Sequence, residues 1–237
     1  RLPDHFIPVS KWIAANVKKL GVLNRDITVV YDGLELSKLN NNADSESFRS
    51  KHGLDNDDFT VGLVGLLIPW KGQDLFIDAA RKLKDVIPNL KMLIVGGTPD
   101  GYQDYENELK SSVYREGLED IVMFIGHEND MPMVYMGLDV VVSASISPEP
   151  LGMVMIEAMA IGRAVIVPNH GGGAELCTDG ETGLVFKAGD SDSLADSIVR
   201  FYQDAELRQR VGTQAKKQVL STFDIAFHVN KIESVYD

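Results

Sequence analysis

Short β-branched runs alternate with segments of helical period nearly to the end of the chain, and this alternation limits the folds open to it more than any other feature. Thr60 to Leu67 is one continuous apolar run, the pattern of a strand covered on both faces. Leu75, Ala79, Ala80, Leu83 and Val86 then fall at helical spacing. Leu90 to Val95 reads as the next strand, ending at Gly96-Gly97, Tyr102 to Arg115 as a helix, and Ile121 to Ile125 as a strand ending at Gly126. Leu138 to Val142 (strand), Met153 to Ala160 (helix) and Ala164 to Val167 (strand, stopped by Pro168) continue the pattern. Upstream, Thr28-Val29-Val30 reads as a strand closing at the turn pair Asp32-Gly33. The polar stretch Ser37 to Ser47, with Asn40-Asn41-Asn42, reads as a loop leading into a helix around Phe48.

Strand–helix alternation with short connections implies right-handed crossovers and an α/β fold, a doubly wound parallel sheet of Rossmann-like kind. In such sheets ligands sit outside the carboxyl ends of the strands, and each motif below falls at one of those ends. From Ser191 the strands stop and helix-period segments run to Asp237. The last carries Ile225, Val229, Ile232 and Tyr236 on one stripe, which must be buried against something.

Charge narrows the partners. Twenty-three basic residues against 35 acidic ones give a net charge of −12, which repels a phosphate backbone or an anionic bilayer. There is no Lys/Arg run, so nucleic acid and polybasic membrane binding are not expected. The single cysteine, Cys177, rules out an internal disulfide and reads as a small buried apolar residue of a reducing compartment. No stretch reaches the roughly 18 apolar residues of a membrane span, and no signal peptide is visible. The expected location is the cytoplasm, with peripheral membrane association left to another domain. Because the chain begins with Arg1, it is expected to be a trimmed or excised piece.

The most informative stretch is Glu149-Pro150-Leu151-Gly152-Met153-Val154-Met155-Ile156-Glu157. Gly152 opens a helix and lets the backbone come close to a ligand. The amides that follow, with the positive end of the helix dipole, suit a diphosphate. Glu157 lies about 6–7 Å farther along at ~1.5 Å per residue, where a carboxylate can accept from two neighbouring hydroxyls of a ribose. Glu149, ahead of Pro150, is held in extended backbone on the other side of the phosphates. A bare spacing of two glutamates eight residues apart is more often a surface residue plus an ordinary helical one; the flanks change that reading.

With Pro-Leu-Gly and Glu-Ala-Met-Ala around it, Glu149 to Gly162 closely resembles the signature of family-four retaining glycosyltransferases, which have two Rossmann-like domains (GT-B). Trp70-Lys71-Gly72-Gln73-Asp74 resembles that family's Lys-Gly element, a point charge aimed at phosphate. Gly171-Gly172-Gly173-Ala174-Glu175 resembles its Gly-Gly-x-x-Glu turn, and Asp179 to Val185 the segment that follows. Phe6 to Lys11 and Asp32-Gly33 resemble an opening strand and an Asn-Gly turn, with Asp for Asn. The resemblance implies that Glu149 meets the donor sugar and Glu157 the ribose. It gives the diphosphate to Lys71 and the amides of Gly152, Met153 and Val154, and the base to Gly126 and His127 in the segment Gly126 to Asp130. The implied reaction is sugar transfer from a UDP-, GDP- or ADP-sugar with retained configuration, with no metal and no other cofactor. His127 and His170 flank the site and are read as packing or solvated rather than as catalytic residues.

The implied organisation is the end of an N-terminal domain or interdomain segment over residues 1–20. A nucleotide-sugar-binding domain follows over 21–220, and a helix over 221–237 returns toward an absent acceptor domain. Without that domain, the chain is expected to bind donor but not to transfer sugar. One position departs from the pattern: the family places an arginine five residues before the lysine, and here that residue is Leu66. Leu66 keeps open a catalytically inactive nucleotide-sugar-binding homologue. A sugar-nucleotide 2-epimerase of the same fold is the other alternative. A nicotinamide oxidoreductase is disfavoured, because Gly62-Leu63-Val64-Gly65 lacks the Gly-x-Gly-x-x-Gly spacing and lies within a strand.

Overall fold

A computed structural model describes residues 4–21, 26–39 and 45–236. In chain order the elements are β1 (His5–Phe6), α1 (Lys11–Lys19), β2 (Asp26–Ile27), α2 (Ser45–Lys51), β3 (Phe59–Val64) and α3 (Gln73–Leu83). They continue with β4 (Leu90–Val95), α4 (Gln103–Arg115), β5 (Val122–Gly126), α5 (Met131–Gly137), β6 (Val140–Val142) and α6 (Met153–Ile161). The last are β7 (Ala164–Pro168), β8 (Leu184–Phe186), α7 (Ser191–Gln203), α8 (Ala205–Thr222) and α9 (Ile225–Tyr236).

Strands β3 to β8 form one parallel sheet in the order β5-β4-β3-β6-β7-β8. The order runs outward in both directions from the β3/β6 pair, so the chain reverses its winding there. That pair is the topological switch point, where a doubly wound sheet opens a crevice at its carboxyl edge. Its register sets Val61 against Val140, Gly62 against Val141 and Leu63 against Val142.

Alternate residues feed opposite cores, as the strand period of two requires. Phe59, Val61, Leu63, Met92, Ile94, Val140 and Val142 face the layer of α3, α4 and α7. Leu93, Val95, Val141, Val165 and Val167 face the layer that includes α2, α5, α6 and α8. Each fully buried Val, Leu or Ile contributes roughly 1.5–3 kcal/mol, so the double covering accounts for the continuous apolar runs. Helix α6 is largely buried, at Met155, Ile156, Ala158 and Met159 among others, and Glu157 is its one charged residue.

The N-terminal residues make a separate two-stranded parallel pair, with His5 opposite Asp26 and Phe6 opposite Ile27. Helix α1 is capped by Ser10, whose hydroxyl accepts from the Ile13 amide at 3.1 Å. Glu175 caps the same helix from afar: its carboxylate accepts from the amides of Lys11 (3.0 Å) and Trp12 (2.5 Å) and from the Tyr31 hydroxyl (3.0 Å). Burial, followed by that carboxylate, pushes the Tyr31 hydroxyl up to about 12. At the other end of the chain, α9 returns to this region. The Leu34 amide donates to the Phe223 carbonyl at 2.6 Å and the Ile225 amide to the Leu34 carbonyl at 3.1 Å, and His228 Nδ1 donates to the Tyr31 carbonyl at 2.8 Å.

Several sequence expectations shift. The strand expected at Thr28–Val30 is assigned at Asp26–Ile27, because pairing with β1 sets its limits; Thr28 and Val30 extend it by donating to Phe6 and Pro8. Val86, expected on the apolar stripe of α3, lies beyond the helix end at Leu83 and is exposed. Of the polar stretch 37–47, residues 40–44, including the three asparagines, lie outside the described residues; α2 already begins at Ser45 and carries the buried Phe48. The stripe on α9 stays open to solvent at Ile225, Val229 and Tyr236, with Ile232 partly buried. Cys177, expected to be buried, is partly buried against the second core, and burial, then Asp179, pushes its thiol up to about 12. No helix of the described residues is long and apolar enough to cross a membrane.

Candidate functional site

Four loops at the carboxyl edge of the sheet build the site. Lys71 follows β3 in a short 3-10 turn begun by Pro69, and Glu149 follows β6, so the two come from the two strands of the switch point. Lys71 Nζ meets Glu149 Oε1 at 3.0 Å, with both side chains only 16% exposed. The ammonium also lies 4.4 Å from the centre of the Trp70 ring, a position favoured by the ring's negative face. Leu63, Val64, Lys71, Ser143, Ser145, Glu149, Gly152 and Val154 line one hollow, and Lys71 is its one cation among the described residues.

Backbone fit holds Glu149 in place. The Gly172 amide donates to the Glu149 carbonyl at 2.8 Å. A Cβ on Gly172 would lie 2.0 Å from the Pro150 carbonyl oxygen, so the loop after β7 can seat against the Glu149 loop only through a residue without a side chain. The Ile146 amide donates to the Trp70 carbonyl at 2.9 Å, joining the loops after β6 and β3.

Gly152 opens α6 with φ +97°, a left-handed conformation that L side chains rarely adopt. The Met155 and Ile156 amides bond back to Gly152. The amides of Met153 and Val154 come first in the helix, where no intrahelical acceptor exists, so the helix start presents donors and a partial positive charge. Glu157 stands roughly 7 Å along the helix from Gly152 at ~1.5 Å per residue. Its Oε2 accepts from the Tyr135 hydroxyl at 2.6 Å. Burial raises its carboxyl above the usual range, and the Tyr135 bond, which favours the charged form, pulls it partly back. Tyr135 is fully buried, and burial followed by the Glu157 charge keeps its phenol protonated.

Gly126 and His127 lie at the end of β5, two strands out from β3, or about 10 Å at the usual strand spacing. Backbone bonds tie these ends into one ledge: Gly96 donates to the Gly126 carbonyl at 2.8 Å and Leu67 to the Gly97 carbonyl at 3.0 Å. His127 is exposed and bonds Asn129 at 3.1 Å. His170 donates from Nε2 to the Ser145 carbonyl at 2.9 Å, which gives it a packing role. Leu66 is 52% exposed, so the position expected to hold arginine is open to solvent.

The structure thus brings Lys71, Glu149, Gly152 and Val154 around one hollow, with Met153 at the same helix start and Glu157 a turn beyond. Gly126 and His127 stand apart on the ledge. Sequence reasoning missed Ser143, Ser145 and Tyr135. Ser145 is buried and donates to Glu149 Oε1 at 2.5 Å. Two serines breaking the apolar run at the end of β6 were a readable signal; Tyr135 had none, because α5 itself went unread. Asp-x-Asp tripeptides occur at Asp55-Asn56-Asp57 and Asp190-Ser191-Asp192. Neither joins the site: Asp190 caps α7, and the Asp55 amide is bonded by Asp58. Among the described residues no three His, Cys, Asp or Glu side chains group as metal ligands.

The model of the family "Glycosyl transferases group 1" matches residues 44–218. The lipopolysaccharide core biosynthesis mannosyltransferase LpsB of Rhizobium meliloti is 28% identical over 95% of this chain and 64% of its own length. The putative glycosyltransferase EpsD of Bacillus subtilis is 30% identical over 98% of this chain and 63% of its own. Anabaena Alr3699/HepE, solved in complex with UDP and glucose, superposes over 100% of this chain and 63% of its own with a TM-score of 0.93 and 30% identity. The chain therefore spans less than two-thirds of the length of each of these relatives. Sheet order, site geometry and the matched segment agree: the chain belongs to the group 1 glycosyltransferases and has the GT-B type of α/β fold.

Proposed function

We propose that this chain is the donor-binding domain of a retaining, metal-independent glycosyltransferase of family-four type, which transfers a hexose from a nucleoside-diphosphate sugar. The observation that carries the reading is the convergence of Lys71, Glu149 and the Gly152-opened helix start at the β3/β6 switch point. A diphosphate seated at that start takes hydrogen bonds from the Met153 and Val154 amides, and Lys71 neutralises charge as the leaving group departs. Glu157 holds the ribose: Tyr135 occupies Oε2, and Oε1 remains for the sugar hydroxyls. The backbone ledge at Gly126 and His127 holds the base. Glu149 receives the donor sugar. The domain's contribution to catalysis is positioning and charge neutralisation, with no covalent step. Complexes of HepE with UDP and with UDP-glucose support a nucleotide sugar as the ligand class. A second domain, of the kind that completes the length of the relatives, supplies the acceptor site.

A second reading rests on Leu66. With no donor at that position, the chain would bind nucleotide sugar weakly and serve as a non-catalytic homologue. A thermal-shift screen against UDP, GDP, ADP and their glucose conjugates tests the proposal. A ligand at 100 times its Kd adds about 2.7 kcal/mol, which is readily seen. No shift with any of the six at millimolar concentration overturns the donor-binding reading.

A further inference from the structure

Three donors converge on one oxygen of Glu149. Lys71 Nζ at 3.0 Å, Ser145 Oγ at 2.5 Å and Ser143 Oγ at 3.4 Å all meet Oε1. Among the described residues, Oε2 accepts no hydrogen bond. The pair is largely shielded, with each side chain 16% exposed, so its charges are screened less than those of a surface pair. Lys71 is also the one cation lining the hollow among the described residues. A bare nucleoside diphosphate arriving here finds its cation engaged by a carboxylate and must set its own negative charge beside that carboxylate. A nucleotide sugar carries the same diphosphate, and beyond it hydroxyls able to donate to Oε2.

Resting on the donor-binding reading above, we infer that Glu149 discriminates between the nucleotide sugar and the spent nucleoside diphosphate. It weakens both by competing for Lys71 and repelling phosphate, and it offsets that loss only for the ligand whose hydroxyls reach Oε2. The bare diphosphate is what transfer leaves behind, so the same residue that holds the donor speeds release of the product. Ser145 is a positioning residue for this function. It is buried, its carbonyl is held by His170, and its hydroxyl fixes which oxygen of Glu149 faces the protein.

Calorimetric titrations of wild type, Glu149→Gln and Glu149→Ala with UDP and with UDP-glucose, at one ionic strength, test the inference. Melting curves identify which variants are folded, and either folded variant suffices. Removing the charge is expected to tighten UDP by roughly three- to tenfold and to weaken UDP-glucose, most in the alanine variant, so that the preference moves by more than about tenfold, or 1.4 kcal/mol. Ser145→Ala, which leaves the charge in place, is expected to weaken UDP-glucose and leave UDP unchanged. If wild type binds UDP but the folded variants bind it no tighter, the discrimination is overturned and the donor-binding reading stands. If wild type binds neither ligand, nor GDP, ADP and their glucose conjugates, that reading falls and this inference falls with it.

Discussion

Replacing Leu66 with arginine should tighten nucleoside-diphosphate binding about tenfold at little cost to the fold. Leu66 is 52% exposed, so only about half of the roughly 1.5–3 kcal/mol of a buried leucine is at stake, and an arginine stem can cover part of that surface. The backbone there is held independently, since Gln73 Nε2 donates to the Leu66 carbonyl at 2.8 Å and the Leu67 amide donates to Gly97. A loss of about 1 kcal/mol lowers Tm by roughly 2–4 °C in a chain of this size. Gly65, next to Leu66, lies against Lys71: a Cβ built on it would be 3.6 Å from Lys71 Cε. A guanidinium on this rim therefore has the same phosphate within reach. Two charge-assisted bonds at about 1.5 kcal/mol each, less up to ~2 kcal/mol for ordering a long side chain, leave about 1 kcal/mol at the low end. Stronger bonds bring the net past the 1.4 kcal/mol that makes a decade. Calorimetry with UDP and a melting curve on the same sample decide it. Unchanged affinity in a well-folded variant would refute the placement of residue 66 at the phosphate end.

Glu157→Ala should weaken UDP by about 1.5–3 kcal/mol, the range for hydrogen bonds to a charged group, and equal calorimetric affinities would remove Glu157 from the site. Because burial raises the Glu157 carboxyl, its contribution to stability is complete below the ordinary carboxylate value and is lost as pH rises through its folded value. Glu157→Gln should thus gain in Tm on wild type as pH rises from about 4 to about 7, and a constant difference across that window would contradict the sign. Gly172→Ala sets a Cβ 2.0 Å from the Pro150 carbonyl oxygen and should cost about 1–3 kcal/mol of stability together with nucleotide-sugar binding; an unchanged Tm would show that the two loops separate freely. This chain alone should transfer no sugar in a radiolabel assay with a real acceptor, and measurable transfer would refute the need for a second domain.

What was legible in the sequence follows from how local its cause is. Leu90–Val95 and α6 read well because an apolar run closed by a glycine pair and a glycine-opened helix announce themselves within a few residues. The order of the strands did not, because it is set by long-range packing, so the β3/β6 switch point became visible only in the structure. Helix α5 is too short, and too apolar at Met131, Val134 and Tyr135, to show a helical stripe, and Tyr135 went unread with it. Strand β8 is three residues long and shows no clear periodicity. Within the site, Lys71, Glu149 and Glu157 were singled out by the family resemblance of the segments around them, whereas Ser145 and the tie from Glu175 to α1 depend on contacts across the fold.

The most direct measurement is a crystal structure of the chain grown with UDP. The diphosphate is expected at the start of α6, bonded by the Met153 and Val154 amides and within reach of Lys71 Nζ, with the ribose hydroxyls on Glu157 and the base on the ledge at Gly126 and His127. Phosphates bound anywhere else, or a ribose that does not meet Glu157, would contradict that placement.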